Sequence, residues 1–536
     1  MSNYDAIIIG AGPNGLALGG YLAKAGQKVL LLERRMEIGG GLATEQVTLP
    51  GYLHNTHAVY HAMVEYAPVF PDLELPEKYG LKFVRPEPVM AMPLKDGRSL
   101  CIYHDLEKTC QSIAKFSQRD SKSYREMYHR YQTYMDDFLA PATYVRAEPP
   151  FEHMVMMQST EVGREIQGMT EKSPKEIVDD LFENEHVKAL MLYAACKWGL
   201  DYDLEGLGYL VPLMINRAAN YQLCVGGSHR LSHVLSKVVY DNGGMILGSQ
   251  LIKRIIVENN EAKGVELENG TVYRANYVAS TLDPYQTFLK YVGEDNLESD
   301  FIRRTKDYKW EQWSLFGVHM ALEKRPRFRA AEQNPDLDNA FIYLIGTETE
   351  EELIAHWDEI KGGRLTDKGF NCSFPSIHDP SQAPPGRFTG LISQHAPYNL
   401  AQGAQDWYRI RQDYAGQLMA TLEKYVPNLR QENLLWHYVS TPLDIENKFL
   451  DMVQGSIKQG GYYPLQMGFL RPNEHCSRHL TPVKNLFLCG ASSFSGGLVV
   501  FGPAYNGANA IAEEIGFKKW WKEPELVVKA QEKGLL

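Results

Sequence analysis

Apolar side chains first cluster at Ala6 to Ile9, a short, largely β-branched run of the kind that forms a parallel strand buried on both faces. Leu16, Leu18, Tyr21 and Leu22 then continue an apolar helical face, Gly26 ends it, and Val29 to Leu32 makes a second buried strand. Val84 to Met92 and Arg98 to Tyr103 read as strands of a different sheet, joined by a turn at Lys95, Asp96 and Gly97. Asp105 to Phe138 and Ser173 to Arg217 carry helical patterns, which together predict a helical cap over strands. A helix over Leu231 to Tyr240 leads into strands at Met245 to Gly248, Leu251 to Glu258, Gly264 to Leu267 and Tyr277 to Ser280, with turns at Asn259 and Asn260 and at Asn269 and Gly270. From Pro284 to about Arg471 the pattern is less regular, with strands at Ser314 to Leu322 and Phe341 to Ile345 and a helix at Trp407 to Tyr425. A strand at Asn485 to Cys489 and a helix at Pro503 to Ile515 close the folded part.

Between the first strand and its helix stand Gly10, Gly12, Pro13 and Gly15. In the G-x-G-x-x-G pattern the first glycine allows the tight turn, the second lets a pyrophosphate approach the backbone, and the third lets the helix pack on the strand. The free N–H groups and positive dipole end of the helix receive the phosphates. Glu33, at the tip of the second strand, lies about 20 residues from the glycines, where a carboxylate accepts from both ribose hydroxyls and repels a 2′-phosphate. Strand, helix, strand and acid all stand at the spacing of a dinucleotide site.

The 536 residues exceed what one core holds, so at least two domains are expected. A net charge of -11 argues against a nucleic-acid partner, which calls for a basic face. The N-terminus shows no secretory pattern, and no apolar stretch reaches the roughly 20 residues that span a bilayer. The 7 cysteines are scattered, without disulfide-reductase or metal-site spacing, so no metal is expected and a reducing cytoplasm fits best.

The passage ERRMEIGGGLAT, with Glu33, Arg34, Gly40 and Gly41, resembles the extended FAD signature of the amine oxidase and phytoene desaturase superfamily. The string NLFLCGASSFSGGLVVFGPAYNGANAIAEEI is similar to the C-terminal FAD motif of bacterial phytoene desaturases and desaturase-type carotenoid ketolases, and LEKTC, FSQRD, GGSHRLSHVL and DPSQAPPG resemble the same group. The resemblance spans Tyr4 to about Gly516. It implies an α/β fold: a doubly wound, Rossmann-like FAD domain of discontinuous segments, with an inserted α+β substrate domain under a helical cap. On that reading residues 1–85, 221–284 and 471–516 form the FAD domain, 86–220 and 285–470 the substrate domain, and 517–536 a tail. Gly10, Gly12, Pro13, Gly15, Glu33, Arg34, Gly40 and Gly41 are then expected at the adenosine, diphosphate and ribityl parts, with Ile252 at the adenine. Gly490, Gly497, Leu498 and Val499 are expected by the ribityl chain and ring.

The implied chemistry is dehydrogenation of a C–C bond, with hydride passing to flavin N5 and oxygen or a quinone reoxidising the cofactor. One departure from the family pattern matters: QGGYYPLQMGFLRP, Gln459 to Pro472, replaces a His-containing segment. This leaves a polyene and a smaller cyclic or carbonyl-bearing substrate both open. Tyr462 and Tyr463 can donate to a carbonyl oxygen and stabilise an enolate, or pack as an aromatic wall. His54, His57 and His61 share a face only if their stretch is helical, and serve either as the base or as hydrogen-bonded structural residues. Arg217 and Arg230 are candidates to hold a carboxylate or to face phosphate or solvent. The tail FKKWWKEPEL combines basic residues with Trp520 and Trp521, which touch a membrane surface or dock on the domain. A flavin-dependent isomerase or ketolase, and a non-catalytic FAD-bound interaction protein using that tail, are the alternatives.

Overall fold

Strand Tyr4–Ile9 runs through the middle of a sheet, parallel to Val29–Leu32 on one side and to Val272–Ser280 on the other. The computed structural model describes residues 4–430 and 433–536. Its first sheet continues from Val29–Leu32 to Met245–Leu247 and from Val272–Ser280 to the hairpin Ile252–Glu258 and Glu261–Leu267, while Leu486–Leu488 also pairs, parallel, with Val272–Ser280. The alternation within the first strand accounts for its unbroken apolar sequence. Ala6 and Ile8 face a core with helices Pro13–Lys24, His229–Asp241 and Gly502–Ile515, and Ile7 and Ile9 face a second core with Ile255, Phe288 and Leu486. This is a Rossmann-like α/β unit assembled from distant segments.

The second sheet orders Leu434–Ser440, Ser314–Leu322, Phe388–Ala396, Phe370–Ser373, Ile342–Ile345, Met90–Pro93 and Ser99–Ile102, antiparallel except where Ile342–Ile345 meets Met90–Pro93. The cap comprises helices from Leu106–Ala114 through Val211–Ala219. The expected strand Val84 to Met92 is broken in two. Phe83–Val84 pairs with Leu223–Cys224 and Met90–Pro93 joins the large sheet, because Pro86 and Pro88 offer no ladder N–H between them. The central strand Phe388–Ala396 escapes a reading by pattern because Thr389, Gln394 and His395 are buried among its apolar residues.

Of the readings of the tail, docking on the domain is the one its packing matches. Trp520 stacks on Tyr21 with ring centroids 5.7 Å apart and donates from Nε1 to the Tyr21 carbonyl at 3.1 Å. Trp521 is buried and donates to Asn509 Oδ1 at 3.0 Å. Both indoles pack against Tyr21 of the protein's own helix Pro13–Lys24, Trp520 remaining half-buried. No helix among the described residues is long and apolar enough to cross a membrane.

Candidate active site

The glycine turn is built for close backbone approach. Gly10 adopts a φ of +95°, and a Cβ on Gly15 would stand 2.1 Å from the Gly10 carbonyl oxygen, so the helix can reach the strand only with glycine there. Gly39 donates its N–H to the Ala11 carbonyl at 2.8 Å and brings the second glycine segment across the turn. Glu33 is held by two backbone donors, accepting from Ala11 N–H on Oε2 and from Arg35 N–H on Oε1, each at 2.9 Å.

Gly10, Gly12, Pro13, Glu33, Arg34, Gly40, Gly41, Ile252, Gly497, Leu498 and Val499 all line one groove of about 360 Å³. Gly15 and Gly490, expected with them, lie behind it: Gly490 packs so tightly on Thr281 that a Cβ would stand 2.3 Å from the Thr281 carbonyl oxygen. At the far end, Leu498, Val499 and Phe501 take φ values of +69°, +59° and +62°. A left-handed β-branched residue costs about 1–3 kcal/mol and is held by the surrounding structure, as at ligand-clamping turns. The acid on the groove, its two crossing glycine segments and the left-handed turn at 498–499 fit FAD. Glu33 would hold the ribose, Gly12 and Gly40 the diphosphate, and the 497–499 turn the ring.

Tyr60, Trp198 and Tyr221 wall the ring end, and Trp198 donates from its indole N–H to the Tyr221 hydroxyl. Behind them Lys197 is buried with Nζ 3.9 Å from the centroid of Tyr60 and 4.7 Å from that of Trp198. Asp451, also on the groove, has its carboxyl pushed up to about 6 by burial, with Gln459 donating to it. None of these residues belongs to a contiguous motif, and the sequence carried no signal for them.

The histidine stretch is extended, so the three rings share no helical face. His57 lines the groove with its ring 4.6 Å from Phe449, and burial holds it well below the ordinary imidazole range, hence neutral. His54 turns away to Thr48 Oγ1 at 2.7 Å, and His61 packs on Phe83 with its backbone bridged to Gln222. The groove's other histidine is His319, supplied by strand Ser314–Leu322.

A cavity of about 1250 Å³ lies between the cap helices and the helix Gly502–Ile515, with Leu213, Met214, Met157 and Phe469 among its walls. It meets the cofactor groove at Arg217 and Gly497, which line both. Tyr462 is buried on this cavity with the Lys458 ammonium 4.8 Å and the Arg471 guanidinium 5.4 Å from its ring centroid. Tyr463 is absent from the large cavity and donates to the Trp310 carbonyl at 3.1 Å, beside a small cavity that Tyr462 also lines. Arg230 lines neither space.

Residues 8–73 match the family of NAD(P)-binding Rossmann-like domains. The chain is 38% identical to one of the polypeptides of the limonene dehydrogenase of Castellaniella defragrans, with 99% of this chain and 98% of that one covered. It is 24% identical to a lycopene-forming phytoene desaturase of Paracoccus sp., with 92% and 93% covered. An oxidoreductase structure from Methanosarcina mazei shares the fold at a TM-score of 0.61 and 16% identity, over 95% of this chain and 100% of that one. A groove fitted to FAD on a Rossmann-type frame and near full-length likeness to these enzymes give one conclusion: the chain belongs to the FAD-dependent dehydrogenase family of the limonene dehydrogenase polypeptide and the phytoene desaturases.

Proposed function

We propose that this protein dehydrogenates a carbon–carbon bond of an apolar, ring-bearing or polyene substrate lodged in the 1250 Å³ cavity. The observation that carries the reading is the boundary at Arg217 and Gly497, which line both a largely apolar chamber and the ring end of the cofactor groove. FAD, when bound, supplies the hydride acceptor, and oxygen or a quinone restores it.

The chain's own residues orient the substrate and manage its proton. The apolar walls exclude water and hold the hydrocarbon body. Tyr462, kept protonated because burial raises its pKa, donates from Oη to a carbonyl or carboxyl oxygen on the substrate and makes the adjacent C–H more acidic. His57, neutral on the groove, is the imidazole of the three best placed to accept a proton. The tail offers a non-catalytic interaction protein less exposed indole than the sequence allowed, with Trp521 buried and Trp520 half-buried against Tyr21.

Anaerobic mixing of the FAD-loaded protein with a panel of monocyclic terpenes, polyenes and cyclic ketones tests this. Bleaching of the oxidised flavin band, with a product lighter by two hydrogens, is the expected result. A spectrum that stays oxidised with every class would rule the reading out in favour of a binding role, and product formed without net reduction would indicate an isomerase.

A further inference from the structure

The boundary between the large cavity and the cofactor groove carries a charge that the protein does not answer. Arg217, on the helix Val211–Ala219, lines both spaces and is only 6% exposed. Its Nη2 donates to the Met63 thioether at 2.9 Å, a weak acceptor, and its Nε is buried with no hydrogen-bond partner. The ionisable groups that face it are the phenols of Tyr462, Tyr221 and Tyr144, so among the described residues no carboxylate neutralises it.

Two other deeply buried cations are answered by the protein itself, and the buried amine Lys197, which lies against aromatic rings, can shed its proton. Arg471, fully buried, spends its donors on the carbonyls of Lys458, Gly460, Gly461 and Ala491. Lys458 is paired with Glu311 at 2.8 Å. An unpaired guanidinium out of water costs several kcal/mol and cannot escape by losing its proton. Such a group at the meeting point of two ligand spaces is completed by a ligand.

We propose that Arg217 is the receptor for a carboxylate on an otherwise apolar substrate, whose hydrocarbon body fills the 1250 Å³ cavity. A planar guanidinium matches a carboxylate with two parallel N–H donors, which fixes orientation as well as charge. Tyr462, lining the same cavity, is the neutral donor beside it. The anchor would set which C–C bond faces the groove, and to that extent the inference rests on the dehydrogenation reading. An oxyanion of the same chemistry on the flavin's pyrimidine ring is the competing source.

Calorimetric binding of cyclohexanecarboxylate and of cyclohexylmethanol to the FAD-loaded protein separates these cases. The wild type is expected to bind the acid at least about tenfold tighter than the alcohol, a difference of about 1.4 kcal/mol. Arg217→Met should erase that preference with FAD content and alcohol binding retained, and Arg217→Lys should keep part of it. Equal binding of acid and alcohol by the wild type overturns the proposal, as does a preference that survives in Arg217→Met. A flavin potential that shifts in Arg217→Met while the acid preference stays intact assigns the guanidinium to the flavin and also overturns it. If Arg217→Met does not fold, the wild-type comparison and Arg217→Lys decide. Flavin bleaching by a neutral hydrocarbon with no acid binding would sink this inference alone; acid binding without reduction by any substrate would sink only the dehydrogenation reading.

Discussion

Lys458 Nζ stands 2.8 Å from Glu311 Oε1, with their side chains 0% and 4% exposed. The pair lies under the ring end of the groove: a Cβ on Gly497 would come within 3.3 Å of Lys458 Cα. Burial draws the Lys458 ammonium below its ordinary pKa, and Glu311 pulls it back up. Removing one partner leaves the other charge uncompensated, so Glu311→Gln should cost about 3–5 kcal/mol in denaturant unfolding. The apolar double variant Glu311→Leu, Lys458→Met should cost less than Glu311→Gln alone. A Glu311→Gln loss under about 1 kcal/mol would show that water reaches the pair.

A Cβ on Gly40 would stand 3.1 Å from the Gly12 Cα, and Gly40 has a φ of +52°. Gly40→Ala should therefore strain the segment that crosses the phosphate turn and lower FAD affinity about tenfold or more, on a strain of about 1–3 kcal/mol. Equilibrium dialysis against FAD measures it, and unchanged affinity would remove the diphosphate role from this segment.

The two adjacent tyrosines should separate cleanly. Tyr462→Phe is expected to slow flavin reduction by about 100-fold or more, the scale of a lost oxyanion donor, with FAD content unchanged. Tyr463→Phe, whose hydroxyl serves the Trp310 carbonyl, should reduce at a near wild-type rate. Stopped-flow reduction checks both, and normal rates in both variants would reject the phenol mechanism.

Buried histidines should make acid destabilise the fold, against an opposing contribution from Asp451 and Asp283, whose carboxyls burial raises to about 6 and about 7. Burial lowers His54 and His61 from 6.5 to about 4. Between those values the unfolded chain binds the proton and the folded chain does not. Stability is therefore full above about 6.5 and falls toward about 4, by up to about 1.4 kcal/mol per pH unit for each histidine. Urea midpoints at pH 7 and pH 5 report this, and His61→Gln should flatten the slope. A pH dependence that is the same in His61→Gln as in the wild type would mean that this ring is solvated.

Trp521 is 5% exposed and sits edge-on to Tyr21 at 5.1 Å. Trp521→Ala should cost about 3–5 kcal/mol, as for other buried aromatics, and should leave vesicle binding unchanged. A loss of vesicle binding without a loss of stability would return the tail to the membrane.

What was legible in the sequence was local. The glycine turn, its helix and the two flanking strands were readable because backbone geometry there is demanded residue by residue: Gly15 has no room for a Cβ, and Glu33 must stand at a strand tip. Strands such as Ser314–Leu322 were readable because burial imposes a short period on neighbouring positions. Only the tertiary structure could decide which candidate reaches a cavity. Tyr462 and Tyr463 are consecutive and chemically alike, and only Tyr462 lines the large chamber, which composition cannot say. His54, His57 and His61 follow a helical spacing in a stretch that is extended because it pairs with Thr44–Glu45 and Gln222, contacts made by distant chain. Arg217 stands in the last turn of a helix buried along its whole length, and its isolation is a property of everything packed around it. The tail's two tryptophans read equally as exposed or docked until the surface of helix Pro13–Lys24 was present to receive them, because burial of an aromatic ring depends on the complementary face and not on its own sequence neighbours.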